Sequence, residues 1–149
     1  MEYPMLTLIT GERTMGSLVG VTAHETCHSW YQAVLASNES LYPWMDEGFA
    51  DFTSQESMAL LFNTSLEDAH LGSYTGYFSL IKRGLIEPVS QHSDHYSTNA
   101  AYLTSAYGIG TVFLQQLRYI IGDENFFKGM RLYYNTWKFK HPELDRRRS

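Results

Sequence analysis

The sequence predicts a mainly α-helical domain with one short strand near its N-terminus. Apolar residues recur at three- and four-residue intervals over most of the chain. Clean alternation of apolar and polar residues is confined to residues 6–10, Leu-Thr-Leu-Ile-Thr. Composition supports a packed domain. Of 149 residues, 44% are hydrophobic, 15% aromatic and 18% charged, which excludes a disordered or fibrous chain. That length suits one domain or a piece of a larger one.

Residues 11–16 form a polar turn after the strand. Leu18, Val21, Trp30, Tyr31, Val34 and Leu35 then give a helix over residues 17–37 with a strong apolar face. Residues 38–43 are a loop. A second helix spans residues 44–61, with Phe49, Phe52, Ala59 and Leu60 inward. Asn63-Thr64-Ser65 caps a third helical stretch, broken by Gly72 and Gly76 and ending near Gly84. Residues 86–99 are polar and carry Pro88, His92, Asp94 and His95, the pattern of a long loop. A helix over residues 102–121 is softened by Gly108 and Gly110. Gly122 stops it, and Asp123 is the expected N-cap of a last helix over residues 126–138, whose continuation Pro142 bars. Arg146, Arg147 and Arg148 make a short basic end, read as solvated.

Charge and cysteine content narrow the function. A net charge of −5 and a pI near 5.6 argue against a nucleic-acid partner, which selects a basic face. The single cysteine, Cys27, excludes an intramolecular disulfide framework and a Cys-rich zinc module. No apolar run is long enough to cross a bilayer. The chain opens at Met1-Glu2-Tyr3-Pro4 without a leader, as a fragment would.

The chemistry concentrates in His24-Glu25-Thr26-Cys27-His28, a His-Glu-x-x-His motif inside the strongest helical pattern. Side chains four apart on a helix leave the same face one turn apart, so His24 and His28 suit two nitrogen ligands of one zinc ion. Glu25 lies beside that face and reaches the water without ligating. A catalytic zinc takes a third protein ligand and keeps one open position. Eighteen residues lie between His28 and Glu47, enough for a turn and a returning antiparallel helix that lays Glu47 against the pair. Asp51, one helical turn on, is either a helix-surface acid or the acceptor for the free N–H of a ligand imidazole.

His24-Glu25-x-x-His28, followed by Glu47 within Trp44-Met45-Asp46-Glu47-Gly48-Phe49-Ala50, resembles the gluzincin aminopeptidases, the aminopeptidase N family. The family's string is Trp-Leu-Asn-Glu-Gly-Phe-Ala; Asp46 replaces its Asn. Met1-Glu2 looks like the tail of the family's Gly-x-Met-Glu-Asn motif, with the Gly absent and Tyr3 in place of Asn. Tyr107-Gly108-Ile109-Gly110 is similar to Tyr-x-Lys-Gly, with Ile109 replacing Lys. The resemblance implies zinc, one per chain, at His24, His28 and Glu47. It implies Glu25 as general base, Glu2 as the anchor of the substrate's α-amine and Tyr107 as oxyanion donor. Tyr102 matches a second active-site tyrosine of some members. The implied fold is the helical half of a thermolysin-like (zincin) catalytic domain. Residues 1–149 would then be a partial metallopeptidase domain without the N-terminal β-domain and C-terminal modules. Implied partners are peptides with a free N-terminus and the remaining domains of a larger enzyme.

Other residues have plainer readings. Cys27 reads as a small buried hydrophobe, and His92 and His95 as solvated loop histidines. His70 and His141 read as surface or capping groups. Phe113, Leu117, Phe126, Phe127, Tyr133 and Tyr134 read as core. The competing reading of the whole is a fragment that binds zinc or peptide without turnover, whose mark is a large open apolar patch. A thermolysin-type endopeptidase is disfavoured by Glu2 and by the Glu-Gly-Phe-Ala context.

Overall fold

The computed structural model describes residues 1–3 and 5–143, so the basic end at Arg146, Arg147 and Arg148 lies outside the described residues. The mainly α expectation is borne out. The strand is shorter than expected and is not alone. β1 (Glu2–Tyr3) and β2 (Leu6–Thr7) pair antiparallel, Glu2 opposite Thr7 and Tyr3 opposite Leu6. Leu8 still exchanges backbone hydrogen bonds with Met1, at 3.0 and 3.3 Å, and the pairing stops there because no described residue precedes Met1 to face residues 9 and 10.

Helix α1 (Met15–Tyr31) starts two residues before the expected position, where Thr14 Oγ1 accepts the Ser17 N–H at 3.4 Å. It also ends earlier than expected. The chain unwinds through residues 32–37, with Ala36 at a left-handed φ of 53°. Helix α2 (Phe49–Phe62) ends at Asn63, also left-handed at φ 52°. Ser65 caps α3 (Leu66–Lys82), its Oγ accepting the Asp68 N–H at 3.0 Å. Helix α3 runs unbroken through Gly72 and Gly76, because two isolated glycines cost less than its packing against α2 and α5 (Gly110–Ile121) provides. The stretch expected over residues 102–121 begins earlier, with α4 (Asn99–Leu103), and continues without a gap into α5. Helix α6 (Asp123–Trp137) follows Gly122. Asp123 is its first residue rather than its cap, and it pairs with Arg118 at 2.8 Å.

Two stretches are π-helical turns, Trp44–Gly48 ahead of α2 and Thr104–Ile109 ahead of α5. Such wide turns redirect side chains that an ordinary helix would fan apart, and they concentrate at functional sites. Here the two turns pack against each other.

The core sits between α2, α5 and α6. Phe49, Phe52, Leu114 and Phe126 are buried, with Tyr31, Trp44, Leu117, Met130 and Tyr133 against them. Phe113 and Phe127 are half outside it, and Leu60, expected inward, is 84% exposed. These residues share a helix's apolar sector, but no described element covers that side. An apolar groove of about 800 Å³ runs between α1 and α2, lined by Leu18, Val19, Ala23, Trp30 and Leu61. Cys27 lines its floor and is otherwise buried, and burial pushes its thiol up to about 11, the inert state expected of it. No helix among the described residues is long and apolar enough to cross a membrane.

Candidate metal centre

The helical spacing brings His24 and His28 to one face of α1, with their Nε2 atoms 3.0 Å apart. The π-turn at Trp44–Gly48 brings Glu47 to the same point. Its Oε2 lies 3.2 Å from His24 Nε2 and 3.3 Å from His28 Nε2. Ligands on a tetrahedral cation with bonds of 2.0–2.1 Å stand roughly 3.3 Å apart, so this triangle has the dimensions of three such corners.

The far side of each imidazole is held by a carboxylate. His28 Nδ1 lies 2.6 Å from Asp46 Oδ1, with both residues 1% exposed. His24 Nδ1 lies 3.1 Å from Asp51 Oδ1, close but off the line of a good hydrogen bond. A carboxylate only accepts, so each ring keeps its proton at Nδ1 and aims the Nε2 lone pair at its neighbour. Two lone pairs and a carboxylate oxygen at such distances require a cation among them. The residues present therefore fit a divalent metal with nitrogen and oxygen ligands.

The same carboxylates favour a second proton on each imidazole where no metal competes for Nε2. Burial lowers the His24 pKa, but Asp51 and Glu47 outweigh it and raise the ring from 6.5 to about 9. His28, likewise opposed by burial, is raised to about 10 by Asp46 and Glu47. Burial alone would raise Glu47; His24, His28 and Tyr107 instead bring it down to about 2.

Tyr107, on the second π-turn, donates its hydroxyl to Glu47 Oε1 at 2.5 Å. Its ring stacks on His24 with centroids 5.8 Å apart. Burial and the Glu47 carboxylate push the phenol far above the ordinary tyrosine range, so it stays a neutral donor. Glu25 is buried. Its Oε1 lies 2.6 Å from the Met1 ammonium, and its Oε2 has no hydrogen-bond partner among the described residues. Glu2 reaches the cluster from β1, with Oε2 3.9 Å from His28 Nε2. Tyr102, on α4, packs edge-on against Tyr96 at 5.6 Å. Burial raises its phenol, and the carboxylates of Glu47, Asp46, Glu39 and Glu2 add to that. A cavity of about 420 Å³ opens beside the cluster, lined by Gly20, Val21, His24, Glu25, Asp51 and Met58.

Sequence reasoning passed over Asp46. The signal was available: two ligand imidazoles call for two orienting carboxylates, and an acid beside Glu47 was the free candidate. His70, read as a surface or capping group, is instead 3% exposed. Its Nδ1 lies 2.8 Å from Gln55 Oε1 and its Nε2 2.8 Å from Glu56 Oε1.

Residues 6–145 match the family model of the peptidase family M1 domain, nearly the whole chain. The chain belongs to this family, and the resemblance to the gluzincin aminopeptidases is borne out. It is 28% identical over 126 residues to Probable aminopeptidase 1 of Saccharolobus solfataricus, covering 83% of this chain and 16% of that protein. It is 30% identical over 158 residues to Aminopeptidase B of Rattus norvegicus, covering 94% of this chain and 23% of that one. It is 28% identical over 156 residues to Leucine aminopeptidase 2 of Neurospora crassa, covering 94% and 22%. The chain thus spans less than a quarter of the length of these relatives. No solved structure gives a significant match.

Proposed function

We propose that this chain is the helical core of a zinc aminopeptidase catalytic domain, hydrolysing the first peptide bond of peptides with a free N-terminus. The observation that carries the reading is the convergence of His24 Nε2, His28 Nε2 and Glu47 Oε2, edges 3.0, 3.2 and 3.3 Å, with Asp46 and Asp51 behind the imidazoles. The names of the relatives agree with it.

His24, His28 and Glu47 would hold one zinc ion. Bound there, zinc supplies Lewis-acid chemistry, acidifying a water and polarising the scissile carbonyl. Glu25 takes the proton of the attacking water and returns it to the leaving amine. Its unpartnered, buried Oε2 is the atom for that task. Tyr107 Oη, permanently protonated, donates to the oxygen on which negative charge develops. Glu2, at the edge of the cluster, pairs with the substrate's α-ammonium and restricts cleavage to the first bond. Tyr102, its phenol raised by burial and then by the Glu47, Asp46 and Glu2 carboxylates near it, would be a second substrate-binding tyrosine. The domain would work with the remaining domains of a larger enzyme.

Metal analysis tests the ligand set. The intact protein should carry one zinc per chain and lose it in His28→Ala. A His28→Ala protein that keeps its zinc contradicts the assignment. A second reading, a helical unit that holds zinc without turnover by itself, is favoured by the open apolar groove under α1. Zinc binding without hydrolysis by the isolated chain, alongside hydrolysis by the longer protein, would distinguish it.

A further inference from the structure

We infer that His70 and Gln55 are positioning residues for the metal centre, fixing through Asp51 the orientation in which His24 presents its Nε2. The inference rests on the reading of His24 as a metal ligand. Its basis is a continuous series of polar contacts running from α5 through α2 and α3 to the cluster.

The series begins at Arg118, whose guanidinium donates to both Glu56 oxygens at 2.9 and 3.0 Å. His70 Nε2 donates to Glu56 Oε1 at 2.8 Å, and His70 Nδ1 donates to Gln55 Oε1 at 2.8 Å. Gln55 Nε2 donates to Asp51 Oδ2 at 3.3 Å, and Asp51 Oδ1 stands 3.1 Å from His24 Nδ1. Both terminal carboxylates accept only, and this sets the direction of every contact between them. Gln55 must turn its amide nitrogen to Asp51, so its oxygen faces His70, and His70 must donate. Ser73 Oγ takes a further amide contact of Gln55 at 3.2 Å. A flipped amide would set its oxygen against the Asp51 carboxylate.

Burial makes the arrangement costly unless it is used. His70 is 3% exposed and stacked on Phe52, ring centroids 5.6 Å apart and planes 19° from parallel. A ring that donates from both nitrogens is an imidazolium, and burying it gives up water for these partners, where an apolar ring would pack at no such cost. Asp51, by contrast, is partly exposed and meets His24 off the ideal line, so by itself it holds the ring loosely. Gln55 on Oδ2 removes the carboxylate's rotational freedom, and His70 removes that of Gln55. Groups behind a metal ligand set its angle and basicity, and losing them weakens metal binding.

The two nitrogens of His70 can be separated by substitution. The Asn amide nitrogen stands as many bonds from Cα as His Nδ1, and the Gln amide nitrogen as many as Nε2. His70→Asn therefore keeps the donor to Gln55, whereas His70→Gln keeps only the donor to Glu56. Both lose the stacked ring, so a merely structural role would affect both alike. Zinc affinity of the intact protein is measured by competition with a chelating dye, with thermal melting in parallel. His70→Gln and Gln55→Leu should bind zinc about tenfold more weakly, while His70→Asn keeps the wild-type affinity despite a similar loss of melting temperature. Equal zinc affinities in the two His70 variants would overturn the inference, and so would wild-type affinity in Gln55→Leu. A His24→Ala control separates the premise. If it binds zinc as the wild type does, the ligand assignment has failed and the inference with it. If it loses zinc while the His70 variants agree, only the inference has failed.

Discussion

Gly48 and Gly110 meet backbone to backbone. A Cβ built on either would stand 2.7 Å from the other's Cα, inside any tolerable contact. Thr111 Oγ1 donates to the Gly48 carbonyl at 3.4 Å across the same crossing. This approach seats the π-turn bearing Tyr107 on the π-turn bearing Glu47, and the 2.5 Å hydrogen bond between them follows. Glycine is needed here for closeness, since neither residue has a positive φ.

Gly110→Ala should therefore lower stability by about 1–3 kcal/mol through overpacking, despite alanine's better helix propensity. It should also lower activity, because Tyr107 moves with the turn. Thermal melting and steady-state rates of the intact protein measure both. A variant as stable and as active as the wild type contradicts the packing argument.

Tyr107→Phe keeps the ring stacked on His24 and removes only the hydroxyl. A donor that acts mainly in the transition state changes kcat and leaves ground-state binding nearly alone. The expected result is a fall in kcat of roughly a hundredfold with KM little changed. Normal turnover would make Tyr107 a packing residue and pass the oxyanion role to Tyr102 or the metal.

Glu25→Gln separates base from ligand. An amide cannot take the water's proton, so turnover should be lost while zinc stays. His28→Ala should lose both. Near wild-type rates in Glu25→Gln would sink the proton-transfer scheme.

The site carries a pH signature. In the metal-free protein His24 and His28 are raised from 6.5 to about 9 and about 10. Their contribution to folding stability is fully present below about 6.5 and is lost as pH rises through about 9–10. Glu47 is lowered from 4.5 to about 2, so its contribution holds above about 4.5 and is lost as pH falls toward 2. Zinc needs both imidazoles without the Nε2 proton, so its binding releases protons. Zinc affinity measured by calorimetry in buffers of different ionisation enthalpy should rise from pH 6 to pH 9 with proton release. A pH-independent affinity over that range contradicts the ligand set.

The sequence made the His pair and Glu47 legible because their placement depends on one helical period and one returning helix. For Asp46 the chemistry gave a reason to look, but the placement was not legible. An ordinary helix would point adjacent residues about 100° apart, and the π-turn brings Asp46 and Glu47 to opposite nitrogens of the same imidazole, His28. His70 was missed for another reason. Its partners Gln55 and Glu56 lie on a different helix, and no periodicity in α3 marks a polar residue for burial. Leu60 and Phe113 show the converse. Their spacing gave them an apolar face, but what covers a face is decided by the rest of the fold. Strand β2 fell short of residue 10 because a strand's length is set by its partner as well as by its own alternation.

The most direct measurement is hydrolysis of an aminoacyl chromogenic substrate and its N-acetylated analogue by the intact protein, before chelation, after it and after zinc is restored. Cleavage of the free-amine substrate alone is predicted, lost with the metal and recovered with zinc, and weakened selectively in Glu2→Ala. Equal cleavage of the acetylated substrate, or activity that survives chelation and His24→Ala, would contradict a zinc aminopeptidase.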